Sequence, residues 1–249
     1  MSDDNAQSKW DEDTSKRFLE YGRYFVPQRE KQLQIVVDLL KGVPKQNIIL
    51  ELCCGEGLLA ELILRHLPGA YVVGMDGSPV MLGKARERLD QYPGRYKLIE
   101  FDLPDLSWRR LSQPVQAVVS MLAIHHLDGA GKHALFQDIY AMLSAGGVFI
   151  IADMVELTSQ PGKAVAAEAW DEVVRQRSLE LDGDTAGLDV FRREGWNTYR
   201  YLDPDDIDHP SPLFDQLKWL AQAGFADIDV HLFLAGHALF SGWKKGDGG

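Results

Sequence analysis

The chain has 249 residues, 45% hydrophobic and 25% charged, enough for one sizeable core. A formal net charge of −11 argues against a nucleic-acid surface, which needs clustered Lys and Arg to displace counterions. No apolar run reaches membrane-spanning length and the polar start lacks a signal-peptide core, so a cytoplasmic protein with no membrane partner is expected.

Met1 to about Trp10 reads as frayed chain. Residues 11–40 then carry two helical stretches split by Pro27, with Phe18, Leu19, Tyr21 and Phe25 on the first and Leu33, Val36, Val37 and Leu40 on the second. Their aromatics suit packing against a sheet; alternatively, Trp10, Tyr21 and Tyr24 belong to a flap over a ligand.

Ile48-Ile49-Leu50-Glu51-Leu52 is a β-rich run that ends in Cys53-Cys54-Gly55-Glu56-Gly57, and Leu58, Leu59, Leu62, Ile63 and Leu67 follow at helical spacing. This is a buried strand, a tight turn and a helix, the arrangement that cradles ligands at the carboxyl edge of a sheet. No third glycine completes the G-x-G-x-x-G spacing of a dinucleotide turn. Glu51, just before the turn, suits a cationic ligand better, because a carboxylate accepts hydrogen bonds from an ammonium group. The only two cysteines, Cys53 and Cys54, are adjacent, a poor arrangement for a disulfide or a zinc site, so they read as small packed residues and no metal is expected.

A second strand, Ala70 to Asp76, ends in an acid 25 residues after Glu51, the length of one β-α-β unit, so that Asp76 can hold ribose hydroxyls. Gly77 follows, then Ser78 and Pro79 as N-cap and first residue of a helix containing Met81 and Leu82. Tyr96 to Leu103 is a third strand, with Phe101-Asp102 at its end, and Val115 to Leu122 a fourth. Ala123-Ile124-His125-His126-Leu127 leaves the fourth strand's tip, where open α/β sheets bind ligands. A helix over Lys132 to Leu143 leads through Ser144-Ala145-Gly146-Gly147 into a fifth strand, Val148 to Asp153.

Met154 to Pro212 is too long for a connection. Helices are expected over Ala164 to Leu181 and Val190 to Gly195, and Trp170, Trp196 and Tyr199 could line an apolar pocket for a ligand. The block Asp203 to Asp208 reads as a solvated acidic loop in preference to a metal site. A helix at Leu213 to Ala223 and strands at Ile228 to Leu234 and Ala238 to Trp243 complete the chain.

In this order and spacing, the motifs resemble those of class I S-adenosylmethionine-dependent methyltransferases. Glu51, Gly55 and Gly57 match the first motif, acid-x-Gly-x-Gly-x-Gly, with Cys53 at its first glycine; Asp76, Ser78, Met81 and Leu82 match acid-x-Ser-x-x-Met-Leu. Ala145 replaces proline in Leu-x-Pro-Gly-Gly, and His-His-Leu occurs in small-molecule members. The resemblance covers Val43 to Asp153 and Leu213 to Lys244. It implies an α/β fold, a Rossmann-like seven-stranded mostly parallel sheet with a terminal antiparallel hairpin. Residues 1–42 would be a helical flap and 43–249 the catalytic domain, with 154–212 as a lid or acceptor-binding insertion.

The resemblance also implies S-adenosylmethionine as cofactor, held by Glu51, Cys53, Gly55, Gly57, Asp76, Gly77, Met81, Asp102, Leu103 and Ser120. Asp102 would accept a bond from the adenine amine. His125 and His126 become the catalytic candidates, as a general base or, preferred here, as positioning groups. Ser120 stands where metal-dependent catechol-type members carry a ligand Asp, and Ser120-Met121-Leu122-Ala123 is unlike the Asn/Asp-Pro-Pro-aromatic sequence of base and glutamine methylators. The expected function is direct in-line methyl transfer to a small-molecule acceptor, with a homodimer as the other partner expectation. The alternatives are a tRNA-base methyl or carboxymethyl transferase and a non-catalytic S-adenosylmethionine-binding module, with a nicotinamide dehydrogenase more distant.

Overall fold

A computed structural model describes residues 12–43, 48–111, 113–201 and 207–246. The expected frayed start, Trp10 of the flap and most of the acidic block lie outside the described residues.

The first described elements are α1 (Glu12–Phe25) and α2 (Arg29–Leu40), broken at Pro27 as expected. The chain then alternates strand and helix, except that only a 3-10 turn (Ser107–Arg109) separates β3 from β4: β1 (Ile48–Leu52), α3 (Leu58–His66), β2 (Tyr71–Asp76), α4 (Pro79–Leu89), β3 (Tyr96–Glu100), β4 (Val115–Met121), α5 (Gly129–Met142) and β5 (Leu143–Met154). The insertion supplies α6 (Gln160–Asp182) and α7 (Ala186–Arg193), and the chain closes with α8 (Leu213–Ala223), β6 (Ala226–Leu234) and β7 (His237–Trp243).

The sheet has seven strands in the order β3-β2-β1-β4-β5-β7-β6; the pairs from β3 to β5 are parallel and β7 is antiparallel to both β5 and β6. Its order reverses between β1 and β4, and the crevice at the carboxyl ends of these two strands is where a doubly wound sheet receives a ligand.

Successive strand residues face opposite sides, which sorts β1 between two cores. Leu50 and Leu52 pack with Phe136 and Ile139 of α5 and Leu220 of α8, while Ile49 packs with Val36 and Val37 of α2 and Ile63 of α3. Helices thus cover both faces, and the central strands read as almost continuous apolar runs. A third core lies outside the sheet: Tyr24 of α1 meets Trp170 and Val174 of α6, Leu188 and Phe191 of α7, and Met154 at the end of β5.

Several boundaries differ from the sequence expectation for local reasons. β3 stops at Glu100, although the Phe101 amide still bonds the Asp76 carbonyl at 3.1 Å. α5 starts three residues early because Asp128 caps it, accepting the Gly131 amide at 2.7 Å. Ser159 caps α6 through the Gly162 amide, moving its start from Ala164 to Gln160, and α7 is one turn earlier than expected. Ser144–Gly147 is not a free turn. β5 already pairs at Leu143, shifts register against β4 between Val115 and Ala117, and exchanges bonds with Lys244 through the Gly146 amide and the Gly147 carbonyl.

Candidate active site

The crevice above β1 and β4 is a cleft of about 1650 Å³. Its floor is the β1–α3 turn, in which Cys53, Gly55 and Gly57 all have left-handed φ, at 52°, 53° and 76°. The two glycines serve different needs. A Cβ on Gly57 would come within 3.1 Å of the Ala85 Cβ, so glycine there lets α4 pack close, whereas a Cβ on Gly55 would meet nothing within 4 Å and would project into space a ligand can use. The turn is held by Asp76, whose carboxylate accepts the Gly55 amide at 2.8 Å and the Ser78 amide at 2.9 Å.

Glu51 lines the cleft yet is only 4% exposed, and among the described residues its Oε2 has no hydrogen-bond partner. Burial first, and the Asp76 charge second, push its pKa from 4.5 to about 8. A buried carboxyl with one unpaired oxygen at this place fits the ammonium group of S-adenosylmethionine. Cys53, Gly77, Met81, Asp102 and Leu103 also line the cleft. Burial, then the surrounding carboxylates, raise the Cys53 thiol, leaving it protonated and a poor nucleophile. Ser120 departs from expectation: it sits inside the sheet between Leu52 and Ile151, is 1% exposed and takes no part in the cleft wall, and Gly57 is likewise behind the turn.

The flap is also rearranged. Glu12, Phe18, Arg29 and Leu33 of the first two helices and Val26 of their link line the cleft, while Tyr21 rests on Trp196 and Tyr24 is buried in the third core. Trp170, Trp196 and Tyr199 do not reach the cleft either. Trp170 is 3% exposed, donates Nε1–H to the Phe25 carbonyl at 2.7 Å and stands edge-on to His237. The insertion reaches the cleft instead through Ile207 and His209.

The tip of β4 turns through one 3-10 turn, Ile124–His126, which separates the two histidines. His126 lines the cleft; His125 is buried behind it. His125 Nδ1 bonds the Asp153 carboxylate, which also accepts the His125 amide at 3.0 Å and the Met154 amide at 2.8 Å. Asp208 closes the group, with Oδ1 3.4 Å from His125 Nε2 and 3.1 Å from His126 Nδ1. Burial alone would lower the His125 pKa, but the Asp153 and Asp208 charges outweigh it and raise it to about 9; the same pairing holds both acids below the usual carboxylate range. Asp208 is therefore no part of a solvated loop: its side chain is 17% exposed.

Two further residues carry this arrangement and were not singled out by sequence. Asp153 carries a visible signal, an acid at a strand tip like Asp76. Lys132 carries none. It is 1% exposed, donates Nζ–H bonds to the carbonyls of Leu127 and His209 and to the Ser211 hydroxyl, and burial lowers its pKa to about 8. With the His209 amide bonded to the His125 carbonyl at 2.7 Å, Lys132 fastens the segment after Asp208 to the β4 tip.

Residues 49–147 match the model of a family described as a methyltransferase domain. The trans-aconitate 2-methyltransferase of Variovorax paradoxus is 33% identical over 148 residues, 56% of this chain and 54% of that relative. The enzyme of the same name from Escherichia coli (strain K12 / DH10B) is 30% identical over 175 residues, 66% of this chain and 65% of the relative. The chain thus spans between half and two thirds of the length of these relatives. An O-methyltransferase family protein from Burkholderia thailandensis superposes with a TM-score of 0.67 at 15% identity, covering 94% of this chain and 60% of that one. Magnesium protoporphyrin IX methyltransferase from Synechocystis PCC 6803, solved with bound SAH, gives 0.57 at 17% identity, covering 93% and 95%. At such identities the likeness is one of fold. Residues 49–147 thus carry a methyltransferase domain, and the matches, with the turn, the unpaired Glu51 oxygen and the acids at the strand tips, support a class I S-adenosylmethionine-dependent methyltransferase.

Proposed function

We propose that the chain transfers the methyl group of S-adenosylmethionine directly, in line, to a small-molecule acceptor. The observation that carries this reading is the place of His126: it borders the cleft beyond the β4 tip with the Asp208 carboxylate beside it, whereas His125 is buried and held as an imidazolium. Methyl transfer from a sulfonium needs no covalent protein intermediate, so holding an acceptor atom in line with the methyl supplies much of the rate. His126 is the group to orient that atom and, for a hydroxyl acceptor, to receive its proton. His125 positions the turn.

Phe18, Val26, Leu33, Leu122 and Ile207 give the cleft an apolar wall. The two arginines of the wall are already engaged, Arg29 by Glu56 at 3.7 Å and Arg109 by Asp138 at 2.9 Å. This favours an acceptor with an apolar body and one polar group over a polyanion such as trans-aconitate, the substrate in the relatives' names. In this reading α1, α2 and the 154–212 insertion act as the lid.

The test is conversion of S-adenosylmethionine to S-adenosylhomocysteine with fractionated small molecules, and separately with tRNA. Turnover confined to small-molecule fractions supports the proposal. Turnover on tRNA alone would replace it with the base-modifying reading, and tight cofactor binding with no turnover in either arm with a non-catalytic module. With an acceptor in hand, His126→Gln should cost on the order of a hundredfold in rate and remove the acid limb of the pH profile if His126 is a base. A positioning role leaves the profile's shape intact.

A further inference from the structure

We propose that His125, His126 and Asp208 form a binding site for one first-row divalent transition-metal ion at the edge of the acceptor compartment. Sequence does not bring the three residues together, because Asp208 lies 83 residues after His125 (125 to 208).

Three independent features point to a ligand set. The first is spacing. One ligand atom from each residue falls within 4.8 Å of the others, with His125 Nε2 at 3.4 Å and His126 Nδ1 at 3.1 Å from Asp208 Oδ1. Bonds of about 2.0–2.1 Å in a tetrahedron place ligand atoms about 3.3–3.4 Å apart, so small side-chain adjustments admit an ion. The second is orientation. His125 gives its other ring nitrogen to Asp153, and Asp153 is itself fixed by two backbone amides, which is the carboxylate–histidine support that metal-ligating imidazoles need to present the free nitrogen. The third is rigidity: the Lys132 bonds and the bond from the His209 amide to the His125 carbonyl hold the backbone next to Asp208 against the β4 tip.

Donor chemistry narrows the ion. Two imidazoles and one carboxylate suit zinc, iron(II) or cobalt(II), whereas magnesium and calcium prefer oxygen ligands throughout. The carboxylates of Asp153 and Asp208 supply two negative charges to a dication, which would take the place of the proton on His125 Nε2. Because His126 lines the cleft, the ion would sit where a Lewis acid can polarise an acceptor oxygen. That use rests on the methyl-transfer reading; the binding does not.

The test is a titration of chelator-treated protein with cobalt(II), followed by visible absorbance and calorimetry, with zinc(II) as competitor. The expected result is one cobalt per chain with ligand-field bands that zinc abolishes. His126→Ala and Asp208→Asn should each weaken binding by about a hundredfold or more, and Asp153→Asn by about 10–100-fold. Replacing the exposed His66 by Ala should change nothing. Melting curves without metal check that the variants fold, and His126→Gln serves if the alanine variant does not. Absence of stoichiometric cobalt binding, or binding equal in wild type, His126→Gln and Asp208→Asn, overturns the site and assigns the three residues to an ion-pair cluster alone. Cofactor binding measured on the same samples separates this outcome from failure of the methyl-transfer reading.

Discussion

The Asp76 carboxylate accepts the Gly55 amide at 2.8 Å, so the acid at the tip of β2 braces the β1–α3 turn as well as facing the cleft. Asp76→Ala should therefore fail twice. Losing hydroxyl contacts to a carboxylate should weaken S-adenosylmethionine binding by roughly 2–4 kcal/mol, allowing for non-additivity, and freeing the Gly55 and Ser78 amides should lower the melting temperature of the cofactor-free protein. Asp76→Asn keeps one acceptor oxygen and should be milder on both counts. Calorimetry and thermal melts separate the effects; unchanged affinity in Asp76→Ala would remove it from the cofactor site.

Cys53 holds φ 52° with a side chain, in a region that costs an L-residue about 1–2 kcal/mol. Glycine removes that strain and returns about 0.4–1 kcal/mol of unfolded-state entropy. Cys53→Gly should thus be neutral or stabilising by up to roughly 1.6 kcal/mol and should keep or improve cofactor affinity. A collapse of binding would show that the thiol itself is used.

Glu51 should couple cofactor binding to proton release. Burial, with Asp76 second, places its pKa at about 8, so at pH 7 the cleft carboxyl is mostly protonated and the arriving ammonium should ionise it. Calorimetry at pH 7 in buffers of different ionisation enthalpy should detect the released proton, and Glu51→Gln should abolish the buffer dependence. The folding sign is opposite to that of a salt-bridged acid. A raised folded pKa contributes stability that is fully present below the ordinary value near 4.5 and is lost as pH rises through about 8. Cofactor-free Glu51→Gln should lose less stability than wild type over that interval.

Trp170 is a core residue, so Trp170→Ala should cost about 3–5 kcal/mol, roughly 6–20 °C in melting temperature for a chain of this size. Trp170→Phe should recover part of the loss. An unchanged melting temperature with altered acceptor preference would return Trp170 to the acceptor pocket.

The neighbouring contact of Tyr199 and Gly236 is as restrictive. The Tyr199 hydroxyl bonds the carbonyls of Val155 and Gly236, its ring lies 2.3 Å from where a Gly236 Cβ would be, and Gly236 has φ 75°. Gly236→Ala should destabilise by at least about 1–3 kcal/mol, and its loss in thermal melts should exceed that of Tyr199→Phe.

Sequence by itself determined the sheet and the strand-tip residues of the cleft proposed to hold the cofactor. The apolar runs, the turn around Gly55 and Gly57, the Ser78 cap and the acids Glu51, Asp76 and Asp102 are local signals, each readable within one strand-turn-helix unit because backbone geometry ties residue type to position there. Tertiary structure decided the acceptor half. Whether Tyr24 and Trp170 cover a ligand or fill a core depends on which helix meets α1, and no periodicity encodes that. Ser120 looked available because it lies on the right strand, but its neighbours Leu52 and Ile151 enclose it within the sheet. Asp208 read as solvated because its sequence neighbours are acids; its actual surroundings are His125 and His126, brought to it across 83 residues by the buried Lys132 and the backbone bond from His209 to His125. Charge is set by the groups that fold around a side chain, and for Asp208 those lie far from it in the chain.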